Sequence, residues 1–429
     1  MQTTRAVRTA PPYDDREECI TMEGKLHINT TAVHGGGRKD DCFGAINEPI
    51  YMTSNYRIPT DGTPVDWSGI HSNIYQRNRN PNQMVLQDKL CALTGAEDGA
   101  VFASGVAALA AVFTTTLNSG DHAIVSEVCY SATNLLFREY LPKKYGVEVT
   151  LLDTTDTEAV RAAVRPNTKL IHVETPGNPT TGISDIDAIA DIAHKAGALL
   201  SVDATFAGPI CIRPLSHGAD LEIHSMTKYI NGHGDVIAGI VVGKADFISQ
   251  CRMFGLKDMT GAVLSPFDAF LMARGLKTLD IRMERHCANA QKVAAFFTSH
   301  PAVAKVYYPG LDTFPGHEIA AKQMKLPGGM ISIELKADRA AVAAAGCQHG
   351  CGAHCRHCLY ELSARDLHFC SPPKSLFRRV IFVWCRTGRV DFLAFVSSYK
   401  SSEKILCIIT LHSFFSLVVS LLYYLPVVS

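Results

Sequence analysis

Leu221-Glu222-Ile223-His224-Ser225-Met226-Thr227-Lys228-Tyr229-Ile230-Asn231-Gly232-His233-Gly234-Asp235 decides the fold, because a short apolar strand here runs straight into a lysine and a glycine-rich turn. A lysine can form a Schiff base with an aldehyde cofactor, and hydroxyls one and three residues before it, on Thr227 and Ser225, can hydrogen-bond phosphate oxygens. Lys228 is therefore the candidate nucleophile. A solvated lysine beside a turn is the ordinary alternative.

Upstream, Gly197-Ala198-Leu199-Leu200-Ser201-Val202-Asp203-Ala204-Thr205 reads as a buried strand that delivers a carboxylate, Asp203, at its C-terminal edge. Two neighbouring strand ends then offer an acid and an amine to one ligand. Pyridoxal 5'-phosphate (PLP) chemistry needs that pair, since the acid keeps the pyridine nitrogen protonated and the ring electron-withdrawing. A helix or turn cap is the alternative role for Asp203.

Strands and helices alternate outward from this stretch. Met84-Val85-Leu86, Leu90 and Leu93 repeat at helical spacing and stop at Gly95. Apolar runs follow at residues 100–103, 122–125, 147–152, 169–174, 199–203, 221–225 and 237–242, with a helix over 187–196 among them. The pattern predicts an α/β fold whose mostly parallel sheet is covered on both faces, with ligands at the C-terminal strand ends. Residues 1–62 are expected to form an extended arm and 63–265 a large cofactor-binding domain. Residues 266–345 begin a smaller α/β unit with one long helical stretch from Pro266 to Phe297 and strands near 303–308 and 329–335.

Ser104-Gly105-Val106 lies where a strand turns into the helix Ala107–Thr114, and a helix N-terminus behind a glycine offers backbone N–H groups to a phosphate. Tyr130, after the strand at 122–125, reaches the same sheet edge, where an aromatic ring can stack on a flat cofactor. Tyr75-Gln76-Arg77-Asn78-Arg79 is a polar loop whose Arg77 can clamp a phosphate.

The chain carries 41 basic and 41 acidic residues among 429, a balance that gives no clustered basic excess for nucleic acid. The first twenty-odd residues lack an apolar signal core, and Asp14, Asp15, Glu17 and Glu18 do not suit a transit peptide, so a cytoplasmic enzyme is expected.

The runs Val202-Asp203-Ala204-Thr205-Phe206, Arg213-Pro214-Leu215 with Gly218-Ala219-Asp220-Leu221, and His224 to Asp235 resemble the Cys/Met-metabolism PLP-dependent enzymes, the trans-sulfuration family of fold type I. The likeness spans roughly residues 28–344. Gly255 to Pro266 and Met283 to Ala290 are most similar to its methionine γ-lyase branch. Position by position, the resemblance implies Lys228 as the PLP-bearing lysine, Asp203 as partner of the pyridine nitrogen, and Gly105, Val106, Ser225 and Thr227 as phosphate ligands. Ser104 and Thr205 join them as cofactor contacts. Tyr130 matches the ring-stacking tyrosine that protonates the leaving group, and Asn178 the asparagine near the cofactor 3-hydroxyl. Tyr75 and Arg77 match residues that reach the phosphate of a neighbouring subunit, which implies a homodimer or homotetramer. The implied activity is α,γ-elimination on a small sulfur amino acid such as methionine, cystathionine or homocysteine, giving a 2-oxo acid and ammonia. γ-Replacement on an activated homoserine uses the same early steps. Ala132 stands where many methionine γ-lyases carry cysteine.

Beyond residue 345 the pattern stops. Seven of the 14 cysteines crowd into residues 347–407; Cys351, Cys355 and Cys358 have ligand-like spacing for zinc, but a second half of such a site is not evident, Cys370 being the one candidate, and no metal site is expected. The run 405–429 approaches the length of a membrane span. A functional zinc-binding or membrane-tethering tail, attached to a catalytically impaired protein, is one reading. Sequence foreign to the domain, from a shifted frame or retained noncoding sequence, is the other, and the abrupt end of the pattern within a helix favours it.

Overall fold

A computed structural model describes residues 27–37, 44–66, 72–336, 379–384 and 405–410. Its main body is a seven-stranded sheet built from β1 (Asp98–Phe102), β2 (His122–Ser126), β3 (Glu148–Leu152), β4 (Thr168–Glu174), β5 (Leu199–Asp203), β6 (Leu221–Ser225) and β7 (Gly239–Gly243). The order is β1-β7-β6-β5-β4-β2-β3, and only β7 runs antiparallel to its neighbours. β2, β4, β5 and β6 are buried along nearly their whole length because helices cover both their faces.

The helix Ile186–Lys195 shows how the cover forms. Asp185 caps it through the Ala188 N–H at 3.1 Å, Gly197 leaves it with φ +69°, and Ile186, Ile189, Ala190, Ile192 and Ala193 face the sheet. Each isoleucine so buried contributes about 1.5–3 kcal/mol. On the opposite face the helix Gly105–Thr116 packs Val112 and Phe113 with Phe102 and Phe137.

Two sequence expectations change. Residues 1–62 are not wholly an extended arm, since Ile28–His34 is helical. Its β-branched, polar sequence has little helical propensity of its own, and its buried Ala32 joins the core beside the helix Pro81–Thr94. The stretch from Pro266 is two helices, Pro266–Leu276 and Leu279–Thr298. The Gly275 carbonyl, in the last turn of the first, accepts from the Thr278 hydroxyl at 3.2 Å and the Arg282 guanidinium at 2.9 Å, which diverts it from the helical ladder.

A second, four-stranded sheet has the order β10-β11-β9-β8, from β8 (Val303–Tyr307), β9 (Met330–Leu335), β10 (Arg379–Trp384) and β11 (Ile405–Thr410). The start of the apolar run 405–429 is thus a strand paired antiparallel to β9. The cysteine cluster 347–358 lies outside the described residues. Among the described residues no helix is long and apolar enough to cross a membrane, and no cluster of His, Cys, Asp and Glu could hold a metal ion.

Candidate active site

The C-terminal ends of β4, β5 and β6 lie side by side and bring most of the sequence-identified residues together. Asp203 ends β5 and pairs in register with Glu174 on β4 and Ile223 on β6. Only 5% of Asp203 is exposed, and burial pushes its pKa above the ordinary carboxylate value. The Thr205 hydroxyl (2.6 Å) and Thr205 N–H (3.0 Å) both donate to Asp203 Oδ1 and oppose that shift, as do the charges of His224 and Lys228. Thr205 Oγ1 in turn accepts the Ser225 N–H at 2.8 Å, tying the end of β6 to the acid.

Lys228 sits three residues past β6 in a tight turn, with its N–H on the Ser225 carbonyl (3.2 Å) and its own carbonyl accepting the Gly232 N–H (2.9 Å). The side chain emerges at the surface of this subunit, yet its surroundings strip away enough water to draw its pKa below the ordinary lysine value. The Asp203 carboxylate opposes that shift. Each charge acts on the other's pKa, and no salt bridge joins the two among the described residues.

Arg282 holds this turn from below. Its guanidinium donates to the carbonyls of Tyr229 (2.6 Å) and Ile230 (3.2 Å), and burial draws its pKa down to about 10, which leaves it charged at neutral pH. Gly232 has φ +73°, and a Cβ there would lie 2.1 Å from Arg282 Nη1, so both backbone and space require glycine.

The turn after β1 closes the other side. Ser104 caps the helix Gly105–Thr116 by accepting the Ala107 N–H at 3.1 Å, while the Gly105 and Val106 amides, at the helix start, have no acceptor within the helix. A Cβ on Gly105 would lie 2.7 Å from Ser225 Cβ, and one on Gly239 would lie 2.3 Å from the Ser104 carbonyl oxygen. The helix start, Ser225 and β7 are therefore pressed into one cradle that side chains would fill. Thr227 differs from expectation in one respect: its hydroxyl donates to the Ala238 carbonyl (3.2 Å) and accepts the Ala238 N–H (3.0 Å), bracing the turn.

Tyr130 is 42% exposed and its N–H donates to Glu174 Oε2 at 2.7 Å, while the Asn178 N–H donates to Glu174 Oε1 at 2.8 Å. Tyr75 and Arg77 stand apart from this group. The Arg77 guanidinium lies 5.3 Å from the Tyr75 ring centroid, on a loop tied to residues 54–56, with no bond to Lys228, Asp203 or Ser225. Sequence reasoning missed Glu174, Gly239 and Arg282. Glu174 had a readable signal, a carboxylate at the end of an apolar strand as in Asp203, whereas Arg282 and Gly239 come close only through the fold. A cavity of about 410 Å³, lined by Ser126, Thr154, Glu174, Ser184, Phe314 and Ile319 among others, includes neither Lys228 nor Asp203 in its walls.

The fit to PLP rests on these observations: a glycine-lined helix start packed against Ser225, whose first amides have no acceptor within the helix, a buried acid at the end of β5, and a lysine of lowered pKa three residues past the adjoining β6. The comparisons agree. A methionine γ-lyase from Porphyromonas gingivalis is 45% identical over 350 residues, which cover 81% of this chain and 83% of the relative. A canavanine γ-lyase from Pseudomonas canavaninivorans is 46% identical over 315 residues, covering 73% of this chain and 78% of the relative. The crystal structure of cystathionine γ-synthase from Xanthomonas oryzae pv. oryzae, in complex with aminoacrylate and cysteine, superimposes with a TM-score of 0.70 at 38% identity, covering 75% of this chain and 81% of that one. Residues 29–348 match the Cys/Met metabolism PLP-dependent enzyme family, and the chain belongs to that family.

Proposed function

We propose that this protein is a PLP-dependent carbon–sulfur γ-lyase that splits a sulfur amino acid such as methionine, cystathionine or homocysteine into a 2-oxo acid, ammonia and a thiol. The observation that carries the reading is the placement of Lys228 and Asp203 at adjoining strand ends, with the Gly105 cradle beside them. When bound, PLP supplies an aldehyde that condenses with amines and a cationic ring that accepts electrons.

Lys228 is the amine that carries the cofactor, and its lowered pKa favours the neutral, nucleophilic form. With PLP bound, Lys228 Nζ would be the base that takes the substrate Cα proton. Asp203, whose Oδ1 is taken up by Thr205, would hold the ring nitrogen and keep it protonated. Ser104, Gly105, Val106, Ser225 and Thr227 would hold the phosphate. Asn178 would stand near the cofactor's 3-hydroxyl, and Tyr130 would stack on the ring and supply its Oη proton to the departing sulfur. Tyr75 and Arg77, which form no hydrogen bond to Lys228, Asp203 or Ser225 among the described residues, are assigned to a neighbour's phosphate in a homodimer or homotetramer. Exposed Met259 and Phe267 supply apolar surface for such an assembly. A cytoplasmic location fits this reading.

γ-Replacement remains the second reading, favoured by the likeness to a cystathionine γ-synthase. Product analysis of the purified, PLP-loaded protein separates the two. 2-Oxobutanoate and ammonia from methionine without added thiol support the lyase, whereas product that forms only with an activated homoserine and a thiol overturns it in favour of replacement. Canavanine belongs in the same assay, given the name of one relative.

A further inference from the structure

We propose that Glu174 is a positioning residue for this site: its single buried carboxylate sets where Tyr130 and Asn178 stand relative to Asp203. The inference rests on the PLP reading above and extends it to a side chain that reading does not use.

Glu174 ends β4, between β2 and β5 in the sheet. Its two oxygens are each committed to a backbone amide, Oε2 to Tyr130 N–H at 2.7 Å and Oε1 to Asn178 N–H at 2.8 Å. Tyr130 belongs to the connection after β2, Asn178 to the one after β4, so one side chain fastens two loops that otherwise follow separate strands. The residue is 42% exposed and opens the short helix Ser131–Leu135 with no side-chain cap of its own; besides the Glu174 bond, its carbonyl accepts the Asn134 N–H at 3.0 Å, the first bond of that helix. Where the ring stands is therefore set through its backbone, and the Tyr130 N–H is anchored on Glu174.

The arrangement carries a cost that a scaffold role does not explain. Glu174 is 5% exposed and lies beside Asp203 in the β4–β5 register, so two acids are buried at adjoining strand ends. Burial and the neighbouring carboxylate push the Glu174 pKa up, and the two amide bonds pull it back. Such a local breach of folding rules belongs at functional sites. Its own backbone is held as well, with the Glu174 N–H on Ser126 Oγ at 3.2 Å and Ser126 bonded to Thr154 at 2.6 Å.

Glu174→Gln tests this, because the amide keeps the shape but turns an NH₂ group toward one of the two backbone donors. The apoprotein is expected to melt within a few degrees of the parent. PLP should bind roughly tenfold more weakly, with an altered visible circular dichroism band, and kcat should fall about 10–100-fold with a smaller change in KM, as expected for displaced contact groups. If Glu174 acts through Tyr130, the losses from Glu174→Gln and Tyr130→Phe combine to less than their product. A folded Glu174→Gln protein with the parent's PLP dissociation constant and dichroism, or multiplicative losses with Tyr130→Phe, overturns the inference. Should Glu174→Gln fail to fold, Glu174→Asp, which is too short to span both amides, is read by the same PLP titration: weakened binding supports the inference and parental binding overturns it. The titration needs no substrate, so a parent that binds no PLP defeats the functional reading instead.

Discussion

The middle and the end of the same strands put similar side chains to different uses. On β4, His172 is fully buried between Phe113 and Phe137 with Nδ1 on Ser201 Oγ at 2.8 Å, while Glu174, two residues on, reaches out to the loops of the site. On β6, Glu222 and His224 bond each other at 2.6 Å in near-complete burial, and four residues past His224 the Lys228 side chain meets solvent. Position along the strand, rather than depth, separates the roles. Mid-strand polar groups bond within the core and serve packing, whereas Asp203 and Glu174, though also buried at 5% exposure, stand at C-terminal strand ends and bond to the loops that follow.

The sharpest break in this comparison comes from Lys228→Ala. Turnover should fall at least about 10³-fold together with loss of the visible absorbance of PLP-loaded protein. Glu222→Ala tests the other side. It leaves His224 buried with neither ring nitrogen partnered, so the denaturation midpoint should fall by the equivalent of about 3 kcal/mol while turnover per folded molecule changes only a few-fold. The opposite pattern, stability kept and turnover lost, would erase the distinction between strand middle and strand end.

Tyr130→Phe is milder, with kcat expected to drop about 10–100-fold while PLP stays bound; unchanged kcat removes its role as an acid. The smallest effect is on pH dependence. Desolvation draws the His172 pKa down to about 3, far below its value of 6.5 in the unfolded chain. The unfolded state therefore takes up a proton that the folded state refuses, and the His172 contribution to stability falls as pH drops from 6.5 toward 3, by about 1.4 kcal/mol per pH unit. Urea titrations at pH 7 and pH 5 should show a larger loss for the parent than for His172→Asn. Equal losses contradict the assignment.

Much of the site was legible because its acid and its amine follow short apolar runs, the pattern that parallel sheets impose. Asp203 and Lys228 declare themselves in that way, and Gly95 and Gly105 mark where a helix stops and another starts. Glu174 carried the same signal but stood in a run whose following Pro-Gly-Asn-Pro turn drew attention to Asn178. Arg282 was not legible, since nothing in Leu279-Asp280-Ile281-Arg282 tells that its guanidinium will pass beneath a glycine 50 residues earlier. The helix Ile28–His34 was hidden for a related reason, its formation depending on a neighbour rather than on its own propensities.

Reduction of the PLP-loaded protein with sodium borohydride, followed by peptide mass spectrometry, tests the central assignment most directly. A pyridoxyl group fixed to Lys228 is the predicted result. Its appearance on a different lysine, or its absence from a folded protein supplied with PLP, contradicts the account.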